Sequence, residues 1–346
     1  MRQPADVVAL VGEYGARVDD AARVFLTRGE YAMYGMMRYF MGYADEEFRP
    51  TAEVFGGKRF RSGLCLMLAD QYGALEAARP VALSIEVFHN FTLIHDDIVD
   101  KDTMRRGRPT VWKLWGTDHA INTGDGQLIM AIQALESAPH EIQMRARPFL
   151  LSKYLEVVEG QFLDFTLTDY ALDDSRTTEA LYLTMLTKKT SVLVGAATRG
   201  AGIAAGAGED EEQKLWDFGL ALGIAYQQCD DTVGIWGTAE MTGKQPHGDV
   251  REKKKTLPVL YTARTLTGSD QEEFVGLYQP GGSMSEAEVS KAIALMNSVG
   301  AYKYARARVD EEMEKALAAA RALKIPESGT KTLTDLTVAL LPVITI

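Results

Sequence analysis

Residues 80–100 (PVALSIEVFHNFTLIHDDIVD) constrain the fold more strongly than any other stretch of the chain. On a helix their apolar side chains fall on nearly every side, which is typical of a helix surrounded by protein. Pro80 suits the first turn of such a helix, because its missing N–H has no intrahelical partner there. The second half nevertheless carries two histidines and three aspartates. Buried charges are costly unless they are paired or bind a metal, so the pattern predicts a central helix whose charged end has a role beyond packing.

The rest of the chain shows the same helical periodicity, and alternating strand patterns flanked by turn pairs are nearly absent. Helices are predicted over residues 7–26, 64–78, 146–168, 179–205, 211–236, 285–298 and 302–323. The breaks between them are short clusters of Gly, Pro and Asp, and no linker or change of composition divides the chain. We therefore predict an all-α fold, with one large helical bundle forming a single domain over residues 1–346.

Charge and composition limit the partners that the chain can have. Its 346 residues include 37 Lys and Arg against 48 Asp and Glu, a net charge of −11. Such a surface repels nucleic acid, so an anionic ligand has to be bound by a local basic site. No run reaches about 18 apolar residues, and the sequence therefore predicts no transmembrane segment. The acidic N-terminus lacks a signal-peptide pattern, and the only cysteines are Cys65 and Cys229. Together these features predict a cytoplasmic protein.

Three aspartates lie at the end of the helix predicted over residues 80–100. Asp96 and Asp100 are four residues apart and share a helix face, with Asp97 one position round. Clustered carboxylates raise one another's pKa, and Mg²⁺ relieves the repulsion because it prefers oxygen ligands and bridges them to phosphates. Taken alone, the motif also describes a solvated helix end.

A second acidic pair lies in residues 226–236 (YQQCDDTVGIW). Asp230 and Asp231 are adjacent on an otherwise apolar helix, and Gln227 lies about one turn before Asp230. An exposed pair near a helix end is the alternative interpretation. Two acidic helices in one bundle favour a site that binds several Mg²⁺ ions together with a diphosphate.

Basic groups beside glycine turns supply the cations that a diphosphate needs, since guanidinium and ammonium groups suit its oxygens. His89 lies seven residues before Asp96, nearly two helical turns, and is a candidate phosphate ligand on the same side. Singly, each basic group also describes a solvated patch, and His89 a core histidine. The groups are Lys58, Arg59 and Arg61 after Gly56-Gly57; Arg105 and Arg106; Lys188 and Lys189 before Thr190; Lys244; and Lys253, Lys254 and Lys255.

Taken in order, these motifs resemble the trans-isoprenyl diphosphate synthases, also called polyprenyl synthetases, over about residues 55–260. The first half of the resemblance rests on GGKRFR (56–61), His89, HDDIVDKDTMRRGRPT (95–110) and GQFLD (160–164). It implies that isopentenyl diphosphate binds to Lys58, Arg61, His89 and Arg106, and the allylic diphosphate to Arg105. It also implies that Asp96 and Asp100 bind Mg²⁺, supported by Asp97, with Gln161 and Asp164 near the metals.

The second half rests on Lys189-Thr190, YQQCDD (226–231), Lys244 in GK, and Lys254 before KTLP. It implies that Lys189 and Thr190 lie near the carbon–oxygen bond that breaks, that Asp230, with Asp231, binds metal, and that Lys244 and Lys254 bind diphosphate. For the whole protein it implies a helical bundle around a central cavity, three Mg²⁺ per active site and a homodimer.

The chemistry that the resemblance implies is head-to-tail condensation. Mg²⁺ and the cations make the allylic diphosphate a leaving group, and the double bond of isopentenyl diphosphate attacks the allylic cation. We expect dipoles of Lys189, Thr190 and Gln227 to stabilise that cation. One departure is Gly234, which stands where the second acidic motif usually ends in a third aspartate, and we expect activity to survive this loss.

Product length depends on the residues before Asp96. Phe91 lies five positions before it and Thr92 four, with no insertion in the motif, a combination that resembles geranylgeranyl (C20) more than farnesyl (C15) synthases. A helical wheel, however, aligns Thr92 with the metal-binding face and turns Phe91 away. Phe88 together with a neighbouring helix is therefore an alternative floor of the product tunnel.

Two other classes use the same fold. A terpene synthase or cyclase needs no isopentenyl diphosphate site, so Lys58, Arg61, His89 and Arg106 argue against it. A non-catalytic subunit of a heteromeric synthase would have lost both acidic motifs, and only Gly234 points that way. The apolar tail over residues 333–346 is expected to pack either on the core or at a subunit interface.

Overall fold

A computed structural model of the chain describes residues 4–51, 57–238, 246–279 and 281–341. Gly56 and Lys244, both in predicted basic motifs, lie outside these described residues. The chain forms two compact units. The first unit comprises Met1–Tyr154, Ala196–Trp216 and Lys324–Thr330, and the second unit comprises Leu155–Gly195, Asp217–Leu323 and Lys331–Ile346.

The described elements are almost entirely helical, which confirms the all-α prediction. Up to residue 169 they are α1 (Pro4–Phe25), α2 (Ala32–Met41), α3 (Phe60–Gln71), α4 (Leu75–Val99), β1 (Met104–Arg105), β2 (Arg108–Pro109), α5 (Val111–Trp115), α6 (Thr117–Gln133), a 3₁₀ turn (Ala134–Ser137) and α7 (His140–Asp169). They continue with α8 (Glu179–Leu186), a π-helical turn (Thr187–Ser191), α9 (Val192–Ala204), α10 (Glu209–Trp236), α11 (Gly248–Arg251), α12 (Leu257–Thr265), α13 (Gly268–Leu277), α14 (Glu286–Ser298), α15 (Ala301–Ala322) and α16 (Glu327–Leu340). Strands β1 and β2 pair as an antiparallel hairpin.

Helix α4 is the buried helix that its apolar sequence predicts, and Ile85, Val87 and Phe88 on it have no exposed surface. It begins at Leu75, however, so the predicted start at Pro80 is wrong. Gly73, with φ +69°, ends the preceding turn, and Leu75–Arg79 are good helix formers. The helix predicted over residues 64–78 is also wrong, because α3 ends at Gln71 and the turn at Gly73 separates it from α4.

The C-terminal helix α16 packs on the core of the second unit. Leu333, Leu336 and Leu341 are at most 3% exposed, and Leu341 lies in a cluster with Ala225 and Val309. This packing agrees with the first of the two placements expected for the apolar tail, while residues 342–346 lie outside the described part. None of the helices that the structure describes has both the length and the apolar character needed to cross a membrane.

Candidate active site

The basic loop before α3 separates its three cations in the first unit. Arg59 caps α3 with φ +49° and is only 5% exposed, because its guanidinium is buried against Asp19. Lys58 is exposed, and Arg61 is half-buried with its Nη1 3.1 Å from Nε2 of His89. Lys58 and Arg61 thus keep solvent exposure, whereas Arg59 is buried and holds the loop in place.

His89 is held as a neutral imidazole. Burial lowers the pKa of His89 well below its ordinary 6.5, and the nearby charges of Arg61, Arg106 and Arg105 lower it further. Because Arg61 is a donor only, Nε2 of His89 accepts its hydrogen bond and the ring proton is assigned to Nδ1. A neutral ring beside arginines can donate a hydrogen bond to an anion without adding charge.

The three aspartates at the end of α4 differ in environment. Asp97 is 1% exposed, and its Oδ1 accepts a hydrogen bond from Nε of Arg105 while its Oδ2 lacks a hydrogen-bond partner. Burial raises the pKa of Asp97 to about 6. Asp96 is half-buried and Asp100, the C-cap of α4, is exposed. The accessible carboxylates are thus those of Asp96 and Asp100, four residues apart, whereas Asp97 is hydrogen-bonded to Arg105.

The β1–β2 hairpin carries Arg105 and Arg106. Arg106 and Gly107 form its turn with φ +54° and +76°, and positive φ at both central residues is what a type I′ turn requires. The guanidinium of Arg106 lies over the ring of Phe40, with Nη1 and Nη2 each 3.3 Å from Oδ1 of Asn90. Burial lowers the pKa of Arg106 to about 10, so the side chain stays charged at neutral pH.

In the second unit, the predicted Lys189-Thr190 pair lies on the π-helical turn between α8 and α9. The sequence predicted one uninterrupted helix over residues 179–205, which is wrong at this turn. Single π turns inside helices are frequent at functional sites. Gly160 on α7 passes so close to this turn that a Cβ would lie 2.6 Å from the Cα of Lys189. Gly223 on α10 is equally tight, with a Cβ 2.7 Å from the Cα of Ser191.

Polar side chains around the π-helical turn are tied together. Nζ of Lys189 lies 2.5 Å from Oδ2 of Asp164, and both side chains are about one-third exposed. The hydroxyl of Thr190 donates to Oε1 of Gln227 at 3.1 Å, and Nε2 of Gln227 donates to Oδ1 of Asp231 at 2.9 Å. The structure therefore brings together the three residues predicted to stabilise the cation, adds Asp164, and places half-buried Gln161 on the same helix α7.

The adjacent acids of α10 have different surroundings. Asp230 is exposed, whereas Asp231 is 9% exposed and its Oδ2 accepts a hydrogen bond from the hydroxyl of Tyr182 at 2.5 Å. Burial raises the pKa of Asp231 to about 7. Both oxygens of Asp231 are engaged by protein donors, so Asp230 is the accessible carboxylate of this pair.

Asp249 on α11 fills the space at Gly234. A Cβ added to Gly234 would overlap Oδ2 of Asp249 and lie 2.6 Å from its Cγ. Nζ of Lys254 lies 2.8 Å from Oδ1 of Asp249. The position where the motif usually carries a third aspartate therefore has a carboxylate beside it, contributed by a later element, and Lys254 binds that carboxylate.

The donors at the acidic motifs fit a cation that shares its ligands with phosphate. In the ranges that the structure covers, no three His, Cys, Asp or Glu side chains are grouped closely enough to hold a metal by themselves. Mg²⁺ at substrate sites is typically bound through one or two carboxylates plus phosphate oxygens. The accessible carboxylates Asp96, Asp100 and Asp230, together with the unpartnered Oδ2 of Asp97, are hard oxygen donors of that kind.

The residues predicted to set product length form part of an aromatic cluster in the first unit. Phe91 is 7% exposed, and its ring lies 5.4 Å from that of Phe88 and 5.0 Å from that of His95. Phe88 stacks on Tyr154 with ring centroids 3.8 Å apart. Thr92 is half-buried, and its hydroxyl donates to the backbone carbonyl of His89. Phe88 and Phe91 thus pack together.

Comparison with known proteins agrees with these motifs. A family model described as polyprenyl synthetase matches residues 48–296. The geranylgeranyl diphosphate synthase of Mycobacterium tuberculosis is 36% identical over 289 residues, which are 82% of this chain and 80% of the relative. The (2E,6E)-farnesyl diphosphate synthase of Mycobacterium bovis is 33% identical over 310 residues, 88% of this chain and 84% of the relative.

Solved structures show the same fold. A polyprenyl synthetase from Streptomyces coelicolor A3(2) has a TM-score of 0.86 at 30% identity, covering 97% of this chain and 100% of that one. A polyprenyl synthase from Caulobacter crescentus CB15, solved with calcium and isoprenyl diphosphate, has a TM-score of 0.79 at 25% identity, covering 98% and 97%. The predicted family and enzyme class are confirmed. The chain belongs to the polyprenyl synthetase family and is a trans-prenyltransferase, a short-chain isoprenyl diphosphate synthase.

Proposed function

We propose that the chain condenses isopentenyl diphosphate head-to-tail with allylic diphosphates and that its final product is geranylgeranyl diphosphate (C20). The cation cluster around His89 carries the proposal. Arg61 lies 3.1 Å from the imidazole, and Arg106 is close enough to lower its pKa. Such a cluster provides an anion site on α4 separate from the Asp96 and Asp100 pair. A cyclase, which takes one diphosphate substrate, has no use for a second anion site.

We also propose that the enzyme uses divalent metal, and that the metal is Mg²⁺ with three ions per active site. The calcium and isoprenyl diphosphate in the Caulobacter crescentus structure support a divalent cation beside diphosphate. Bound between the accessible carboxylates and the substrate, Mg²⁺ would neutralise the charge of the departing diphosphate. We assign metal-binding roles to Asp96 and Asp100 in the first unit and to Asp230 in the second unit, with Asp97 and Asp231 positioning Arg105 and Gln227.

The residues around the π-helical turn are assigned to the allylic cation. Gln227 gives its amide hydrogen to Asp231, so its carbonyl oxygen is directed towards the hydroxyl of Thr190. The hydroxyl of Thr190 donates a hydrogen bond to that carbonyl, and the lone pairs of the hydroxyl oxygen remain available to stabilise positive charge. Lys189 is paired with Asp164 in the free protein, and we propose that a substrate diphosphate competes for this ammonium group.

The C20 product is supported by Phe91. The relatives named above include both a geranylgeranyl and a farnesyl synthase, so similarity leaves the length open. Phe91 is buried against Phe88, five positions before Asp96, where a bulky residue can stop chain growth. Farnesyl diphosphate (C15) is the alternative product.

We further propose that both units act together as one polyprenyl synthetase domain and that the protein is a cytoplasmic homodimer. The family model spans parts of both units, and the thiols of Cys65 and Cys229 are buried, as suits a reducing compartment.

Support for the dimer comes from an apolar stripe on α7 with spacings of three and four residues. Its members are Leu155, Val158, Phe162 and Phe165, which are 37–69% exposed.

Alanine at Asp96 or at Asp100 tests the function. We expect either variant to lose turnover of isopentenyl diphosphate with allylic substrates while keeping the helical circular dichroism of the parent. Asp270→Ala is the matched control, since Asp270 is an exposed aspartate in the first turn of α13 and is not among the site residues. Near-normal turnover by Asp96→Ala or Asp100→Ala would refute the metal role. Product formed by the parent without isopentenyl diphosphate would move the protein to the cyclases.

A further inference from the structure

We infer that Asn90 is a positioning residue for isopentenyl diphosphate, orienting the guanidinium of Arg106 through a buried network centred on Glu86. The inference rests on the proposed function. Asn90 has no exposed surface, and its Oδ1 lies 3.3 Å from both Nη1 and Nη2 of Arg106. A single acceptor facing both nitrogens fixes the plane in which a guanidinium fork can meet an anion.

The orientation of the Asn90 amide follows from its other partner. Nδ2 of Asn90 donates to the backbone carbonyl of Glu86 at 2.8 Å and to its Oε1 at 2.9 Å. Both bonds require a donor, so the nitrogen faces Glu86 and the oxygen is left for Arg106. A flipped amide would lose all of these bonds, and the side chain therefore has one stable orientation.

Glu86 is anchored from three directions. It is 2% exposed, with Oε1 3.1 Å from Nη1 of Arg59 and Oε2 accepting from the hydroxyl of Ser62 at 2.8 Å. Burial by itself would raise the pKa of Glu86, but Arg59, Ser62 and Asn90 together hold it below its ordinary value. The carboxylate is therefore ionised, and a satisfied buried network of this kind is rigid.

The same network fixes the basic loop. Arg59 bridges Glu86 and Asp19 and donates to the backbone carbonyl of Met41 at 2.6 Å, which holds the strained cap of α3 between Lys58 and Arg61. Gly57 also packs on Arg106, since a Cβ there would lie 3.0 Å from Nη2. One buried carboxylate thus connects the residue that touches Arg106 with the residue that lies between Lys58 and Arg61.

A neutral amide at position 90 has a specific advantage. An aspartate there would orient Arg106 equally well but would cancel the charge that attracts the diphosphate. Asn90 accepts from the guanidinium and leaves its positive charge available. This difference explains why the residue touching Arg106 is an amide while the ionised carboxylate, Glu86, lies one step further away.

Asn90→Leu tests the inference, because leucine keeps the volume and removes the acceptor. Calorimetry with isopentenyl diphosphate alone, which cannot react without an allylic partner, should show about tenfold weaker binding, as expected for losing one hydrogen bond to a charged group. The KM for isopentenyl diphosphate should rise in parallel, with kcat and the KM for the allylic diphosphate unchanged. Thr198→Val is the control, since Thr198 is equally buried and donates to the carbonyl of Leu215.

Gly57→Ala gives a second route that leaves the buried network intact. Its methyl group should displace Arg106 from the other side and weaken isopentenyl diphosphate binding several-fold. Unchanged binding in Asn90→Leu and Gly57→Ala, or equal weakening for both substrates, would overturn the inference while leaving the enzyme assignment in place. A parent protein that fails to bind isopentenyl diphosphate would overturn the proposed function and the inference with it.

Discussion

Replacing Gly160 by alanine should separate α7 from the π-helical turn that carries Lys189 and Thr190. The added Cβ would lie 2.6 Å from both the carbonyl carbon of Lys188 and the Cα of Lys189. Ordinary van der Waals contact begins at 3.4 Å, so one segment has to move by at least 0.8 Å. The atoms in the way belong to the backbone, and no rotamer change can relieve the overlap.

The two consequences of this shift differ in size. Overpacking costs about 1–3 kcal/mol, and alanine recovers about 1 kcal/mol of helix propensity, so the free energy of unfolding should fall by no more than about 2 kcal/mol. Catalysis should suffer more, because a misplacement near 1 Å can lower the rate by about 100-fold. We therefore expect kcat to fall about 100-fold in a protein that remains folded.

The assay is kcat at saturating substrates together with urea unfolding. Gly276→Ala is the matched control, because Gly276 lies in α13 of the same unit with no atom within 4 Å of an added Cβ. The control should gain up to about 1 kcal/mol of stability and keep its kcat. A kcat within twofold of the parent in Gly160→Ala would refute the claim that the π-helical turn positions the reacting groups.

Four further predictions follow from the site. Gly234→Asp should destabilise the protein because its side chain overlaps Asp249, and adding Asp249→Gly should restore the urea midpoint; a single variant as stable as the parent would contradict the overlap. His89, whose pKa is lowered, should show no NMR titration between pH 8 and pH 6, and a midpoint near 6.5 would contradict its neutral state. In the folded protein the pKa of Asp231 is about 7, above its ordinary value of 3.8, so the folded state binds the proton more tightly than the unfolded chain does. The folded state therefore loses stability as the pH rises between these two values. Unfolding of metal-free Asp231→Asn should therefore show a stability advantage over the parent that grows from pH 5 to pH 8, and a shrinking advantage would contradict the sign. Phe91→Ala should lengthen the product, and an unchanged product would place the stop elsewhere.

The buried helix and both acidic motifs were predictable from the sequence, because all-round hydrophobicity and paired aspartates are local patterns. The start of α4 was not, since a proline inside a helix looks the same in sequence as one at its start. The π-helical turn was also hidden, because residues 179–205 keep helical periodicity across it. Its traces are Gly160 and Gly223, whose need for close backbone contact depends on a partner on another helix.

The network behind Arg106 left one signal that sequence reasoning missed. Glu86 stands between Ile85 and Val87 in a strongly apolar stretch of the chain, and a lone carboxylate there has to be paired. Its partners Arg59 and Asn90 could not be chosen from the sequence, because Arg59 looked like one more cation of the basic loop. The close approach of Asp249 to Gly234 could likewise not be predicted, since Asp249 lies on a different helix.

A product assay is the most direct test of the proposed C20 synthase activity. The purified protein is incubated with Mg²⁺ and isopentenyl diphosphate, together with the C5, C10 or C15 allylic diphosphate, and products are identified by mass spectrometry. We expect a C20 diphosphate from each allylic substrate and none without isopentenyl diphosphate. A C15 end product would keep the enzyme class and correct the assigned length. A hydrocarbon or alcohol formed from an allylic diphosphate alone would contradict the proposed chain elongation.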